Sequence, residues 1–122
     1  MKNALLLMLL VASPLVAQDV ITRSMVIEPG FNVGVTKAIG IQFDQTAIRA
    51  LGPKWNAGKA IAGVVSSPEK LAALGLSNMK AGEKVKVTYI ENDGTNEKFQ
   101  VEHTGSGRTQ EIRVAAEALK QK

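Results

Sequence analysis

His103 is the only histidine in the 122-residue chain, and Ser106 follows it three residues later. An imidazole can take the proton of an attacking hydroxyl, so this pair is the natural starting point for nucleophilic hydrolysis. No Gly-x-Ser-x-Gly elbow surrounds the serine and the chain contains no cysteine, so His103 reads as a strand-end side chain and the protein as no enzyme. That expectation carries a condition: catalysis returns if the fold brings His103 within hydrogen-bond reach of both a serine and a carboxylate. Glycoside hydrolysis would need two acids isolated in a cleft. Glu91, Asp93, Glu97, Glu102 and Glu111 instead lie among lysines in a run of strands, as on a solvated sheet face.

Two phosphate motifs fail on inspection. The Gly-Lys pair at Gly58-Lys59 invites comparison with a phosphate loop, but Gly52 lies one residue too far upstream and Ala60 stands where Ser or Thr would hold magnesium. Gly105-Ser106-Gly107 lacks the third glycine of a dinucleotide fingerprint and reads as a hairpin turn. Met25, Met79 and His103 are soft ligands suited to copper(I), with Trp55 as an aromatic lid, yet no His-x-Met or Met-x-Met spacing joins them. Core packing is the default for Met25, and no metal ligand or cofactor is assigned.

A binding surface is the remaining candidate. Trp55 is flanked by Lys54 and Lys59, with Arg49 nearby, and an exposed tryptophan between cations can stack on a ring while the cations meet phosphate or sulfate. As the only tryptophan, it reads equally as a core residue. Between Arg49 and Lys80 the basic residues are Arg49, Lys54, Lys59, Lys70 and Lys80, against the single acid Glu69. Partners of such a surface outside the cytoplasm would be anionic envelope polymers or lipid headgroups, not nucleic acid.

The elements that would position these residues follow from periodicity. Val20 to Glu28 reads as a strand, and Pro29-Gly30 as a turn. Phe31, Val33, Val35, Ile39, Ile41 and Phe43 share odd positions, the pattern of a long half-buried strand. Asp44 caps a short helix over Gln45–Leu51, closed by Gly52 and Pro53. A strand over Lys59–Val65 precedes a capping box at Ser66 and Glu69 and a helix from Ser67 to Leu74. Val85, Val87 and Tyr89, then Phe99 and Val101, then Ile112 and Val114 mark a three-strand meander turning at Asn92-Asp93-Gly94 and at Gly105-Ser106-Gly107. Ala115 to Lys122 reads as a short terminal helix.

The run from Met79 to Tyr89, Met-Lys-Ala-Gly-Glu-Lys-Val-Lys-Val-Thr-Tyr, resembles the strand entry of small bacterial periplasmic OB-like barrels, copper chaperones among them. It also resembles the closing strands of bacterial PDZ domains, in which a helix like Ser67 to Leu71 comes before and a turn like Asp93-Gly94 after. The PDZ resemblance implies a carboxylate-binding loop, for which Ile39-Gly40-Ile41 is the candidate. Each resemblance covers under half of the chain beyond residue 17, and no site residue is carried over from either.

The fold class expected is therefore mainly β with one or two short helices (α+β). A small closed OB-like barrel is the first architecture and a PDZ-like β-sandwich the alternative. Residues 1–17 read as a secretory signal: Lys2, an unbroken apolar run from Ala4 to Val11, a break at Ser13-Pro14, and a small-residue ending at Ala17. Pro14 interrupts the run well short of the roughly 20 apolar residues that a membrane span needs. Residues 18–122 make one domain, without cysteine and without an Asn-x-Ser/Thr acceptor, which suits a bacterial periplasm or exterior. The function expected is a non-catalytic, exported ligand- or envelope-polymer-binding module, and the alternative is a periplasmic copper-binding protein.

Overall fold

The computed structural model describes residues 22–120. The signal segment and the first part of the expected opening strand lie outside the described residues. The elements in chain order are β1 (Ser24–Val26), α1 (Phe31–Ile39), β2 (Ile41–Phe43), α2 (Gln45–Leu51), β3 (Lys54–Asn56), β4 (Ala60–Val65), α3 (Pro68–Ala73), β5 (Lys84–Asn92), β6 (Asn96–His103) and β7 (Thr109–Ala115), closed by a 3-10 helix over Ala116–Lys120. The protein is mainly β, with two sheets and a few short helices.

Five strands form one antiparallel sheet in the order β2-β4-β5-β6-β7, and β1 with β3 forms a separate two-stranded ribbon. The meander β5-β6-β7 follows the expected alternation, with Val87 opposite Val101 and Phe99 opposite Ile112. Strands β2 and β7 lie at the two ends of the order and are not hydrogen-bonded to each other, so the sheet is open. The ribbon joins the main sheet at two places, through reciprocal bonds between Thr22 and Asn92 (3.1 and 2.8 Å) and through Gly58 N–H to the Tyr89 carbonyl (2.9 Å).

The long strand expected over Phe31 to Phe43 is instead helix α1 followed by short β2. Phe31, Val35 and Ile39 satisfy both periods, because odd numbers four apart also lie about one helical turn apart. Val33 decides the matter: it would be inward in a strand, but it is 56% exposed on the helix. Gly40 ends α1 in the left-handed conformation, φ 77°, with its N–H donating to Thr36 O at 2.9 Å. A Cβ at Gly40 would strike the carbonyl oxygen of Ser67. That close approach allows the Ser66 and Ser67 amides to bond Gly40 O at 2.8 and 3.0 Å. Ile39-Gly40-Ile41 is thus a buried joint whose glycine N–H is already used, which removes the candidate carboxylate-binding loop.

Helix α2 begins as expected, with Asp44 accepting from Thr46 N at 3.2 Å. Helix α3 corrects the expected capping box by one position. Ser67, not Ser66, is the N-cap, and its hydroxyl accepts from Lys70 N at 3.3 Å. The core fills the space between the inner sheet face, the ribbon, α1 and the 3-10 helix, and Trp55 is central to it. Its ring lies 5.4 Å from Phe99, 5.5 Å from Phe43, 6.0 Å from Tyr89 and 6.3 Å from Phe31, centroid to centroid. No helix among the described residues is long and apolar enough to cross a membrane.

Candidate functional site

Trp55 has 0% exposure, and its Nε1–H donates to Lys59 O at 2.7 Å. Its ring faces are spent on other aromatics, so it cannot stack on a ligand from solvent; the core reading holds and the surface reading does not. The reason lies in β3, where alternation puts Trp55 inward and Lys54 and Asn56 outward. Lys54, Lys59 and Arg49 are exposed, and none of them has an ion-pair partner among the described residues. They remain available to a ligand without the ring that was to accompany them.

A different site emerges where the ribbon, α1 and the 3-10 helix meet the sheet. A groove of about 550 Å³ opens there, walled by Met25, Val26, Phe31, Val33 and Leu119, with Glu97 at its inner side. Val26 is 61% exposed, so two large apolar side chains of the groove, Val26 and Val33, face solvent. Glu97 lies on the same face of β6 as Phe99 and Val101, and only 8% of it is exposed. The phenol of Tyr89 donates to its Oε1 at 2.7 Å. Burial, and then the Glu97 carboxylate, push the Tyr89 phenol well above its ordinary value of 10.0, so it stays protonated and keeps donating. Glu28 is the other charged residue lining the groove, and no lysine, arginine or histidine is among its described lining residues.

The lysine-rich meander predicts a solvated Glu97, but its side chain is buried, only 8% exposed. The signal was present in its odd numbering, which it shares with Phe99 and Val101. Glu91, by contrast, is a partly buried surface acid held by Lys98 at 3.4 Å and Arg23 at 3.7 Å.

The third cluster gathers around His103. Register pairs His103 with Val85, which places Glu83, two residues before Val85, diagonally across on the same face. Glu83 Oε2 lies 2.9 Å from His103 Nε2, and His103 Nδ1 lies 2.8 Å from Ser106 Oγ. The Ser106 amide also points at Nδ1, at 3.3 Å. An amide can only donate, so this network assigns Nδ1 as the acceptor and puts the ring proton on Nε2, facing Glu83. The Lys80 amide, at 2.7 Å, and then the imidazole hold the Glu83 carboxyl below its ordinary value of 4.5.

Beside the ring is a cavity of about 160 Å³ whose walls include Met79, Asn78, Arg108 and Gln110. Two of the three soft ligands, Met79 and His103, therefore share one cavity. Met25 lines the apolar groove instead, so the three do not converge. No group of three or more His, Asp or Glu side chains suited to a metal occurs among the described residues.

The fold and these sites define a small antiparallel meander domain with a helix-flanked groove. Compared with protein-family models, with curated proteins and with solved structures, the chain matches none of them.

Proposed function

We propose that this is an exported, periplasmic or secreted, binding module whose ligand is a cationic amphiphile seated in the Glu97 groove. The observation that carries the reading is a buried carboxylate, bonded among the described residues to the Tyr89 phenol, that lines a mostly apolar groove. Small-molecule sites have this form: concave, mostly apolar, with a few polar groups that fix orientation. A protonated amine would form a charge-assisted bond to the carboxylate, strengthened by the low-dielectric walls. Its alkyl body would cover Val26, Val33 and Leu119. An anionic polymer would be repelled by Glu97 and Glu28. Such a polymer, or a lipid headgroup, would have to meet exposed cations elsewhere, such as Arg49, Lys54 and Lys59.

Trp55 serves as the reporter, because Phe31 lines the groove and lies edge-on to the indole at 6.3 Å. Octylammonium titrated into the protein lacking residues 1–17 should change Trp55 emission saturably, while octyl sulfate should not. Glu97→Gln keeps an acceptor for Tyr89 and should weaken octylammonium by at least about 10-fold, the effect of losing a charged partner. Equal responses to both amphiphiles, or an unchanged affinity in the variant, would reject the reading.

The copper alternative keeps one point of support, the sharing of a cavity by Met79 and His103. Against it, both ring nitrogens are already bonded. Competition with a chromophoric copper(I) chelator under reducing conditions decides: a metal carrier takes copper from the chelator, and Met79→Leu abolishes the transfer.

A further inference from the structure

The geometry around His103 carries a reading independent of the groove: we propose that Ser106 is an acyl-accepting nucleophile with His103 as its general base, hydrolysing small activated esters, and that Glu83 is the positioning carboxylate. The condition set by the sequence is met on both sides of the ring, at 2.8 Å to the serine hydroxyl and 2.9 Å to the carboxylate. The proton arrangement is the productive one. In the tautomer that the Ser106 amide assigns, Nδ1 faces Ser106 Oγ as an acceptor and Nε2–H faces the Glu83 carboxylate.

The parts are fixed by backbone, not by loose side chains. Glu83 O accepts from Val65 N at 2.9 Å, His103 N–H bonds Arg108 O at 2.8 Å, and Gly107 N–H bonds His103 O at 2.7 Å. Ser106 itself is exposed and open to a substrate. The adjoining cavity of about 160 Å³ has room for a small acyl or leaving group only. Three amides of the turn are already committed: Ser106 N to the ring, Gly107 N to His103 O, and Arg108 N to Ser106 Oγ at 3.3 Å. Arg108 and Asn78, which line the cavity, carry side-chain donors that can serve an oxyanion there.

In the first step Ser106 Oγ attacks the ester carbonyl carbon, forming a C–O bond while its proton passes to His103 Nδ1. The tetrahedral oxyanion collapses, the bond to the alkoxy group breaks, and that group leaves as the alcohol with the proton from Nδ1. Water then attacks the acyl-serine, gives a proton to Nδ1, and the carboxylic acid departs as that proton returns to Ser106.

The test uses the full chain with p-nitrophenyl acetate and, separately, a fluorophosphonate probe. Hydrolysis about 100-fold above buffer is expected, the lower range for positioned acid–base catalysis, together with a fluorophosphonate adduct on the peptide carrying Ser106. Ser106→Ala and His103→Gln should abolish both. Glu83→Gln should lower kcat about 10-fold with KM unchanged. A second measurement does not depend on turnover: the chain has no cysteine, so Ser106→Cys installs a single thiol. Iodoacetamide should alkylate it at least about 10-fold faster than in the Ser106→Cys, His103→Gln double variant, because the imidazole promotes the thiolate. An unmodified Ser106 with a rate unaffected by Ser106→Ala, or equal alkylation of the two cysteine variants, overturns the proposal.

Discussion

Tyr89 and Glu97 form the pair on which the groove depends, and each needs the other. Among the described residues the phenol supplies the side-chain hydrogen bond of a carboxylate that is only 8% exposed. Tyr89→Phe should therefore destabilise the protein by about 1–3 kcal/mol, the cost of stranding a buried acceptor. Tyr89→Phe combined with Glu97→Leu should recover part of that loss, because the stranded charge goes too. Denaturant midpoints of the two single variants and the double variant measure the coupling. Trp55 obeys the opposite logic, touching four aromatic rings and no solvent. Trp55→Ala should cost about 3–5 kcal/mol, and emission of the native protein should be blue-shifted before any ligand is added.

At the level of elements, junctions decide more than propensities do. Gly40 links α1 to β2 in a left-handed conformation against the backbone of Ser67, whereas Gly30, also left-handed at φ 84°, has nothing within 4 Å of its would-be Cβ. Gly30→Ala should lose only the backbone term, about 1 kcal/mol. Gly40→Ala must in addition push two chain segments apart, and thermal melts should show it clearly the worse of the two. The same reasoning separates neighbouring serines. Ser67→Ala removes the hydroxyl that caps α3 and should cost about 1 kcal/mol. Ser66→Ala removes a side chain with no capping role and should be neutral.

For the whole molecule, the titrating groups bracket a broad pH plateau. Asp93, whose carboxylate accepts from the Asn96 and Thr95 amides, and Glu83 are both held below their ordinary values of 3.8 and 4.5. Groups lowered on folding contribute stability that is present above the unfolded value and lost as pH falls through the folded one. Tyr89 is raised above 10.0, so its contribution is present below that value and is lost as pH rises beyond it. Stability measured by urea midpoints should stay level through the neutral range, fall below about pH 4.5 and fall again above about pH 10. A midpoint that climbs on alkalinisation past pH 10 would show that Tyr89 is not shielded as described.

Local pattern was enough to determine the meander, helix α2, strand β4 and the class of the domain. Strict alternation in Val85-Val87-Tyr89 and Phe99-Val101 has no helical reading, and a cap such as Asp44 acts on the next few amides alone. Tertiary structure decided the rest, because the deciding contacts join residues far apart in the chain. Phe31 to Ile39 fits two periods, and the helix is seen in the exposure of Val33 and in the joint at Gly40, which Ser67 and Lys70 make tight. Trp55 between lysines fits surface and core alike until four rings converge on it. The parity of Glu97 pointed inward, but only the fold supplied Tyr89 and the groove. His103 and Ser106 lie three residues apart in the sequence, whereas Glu83 joins them only because β5 and β6 pair in a register that no local pattern states.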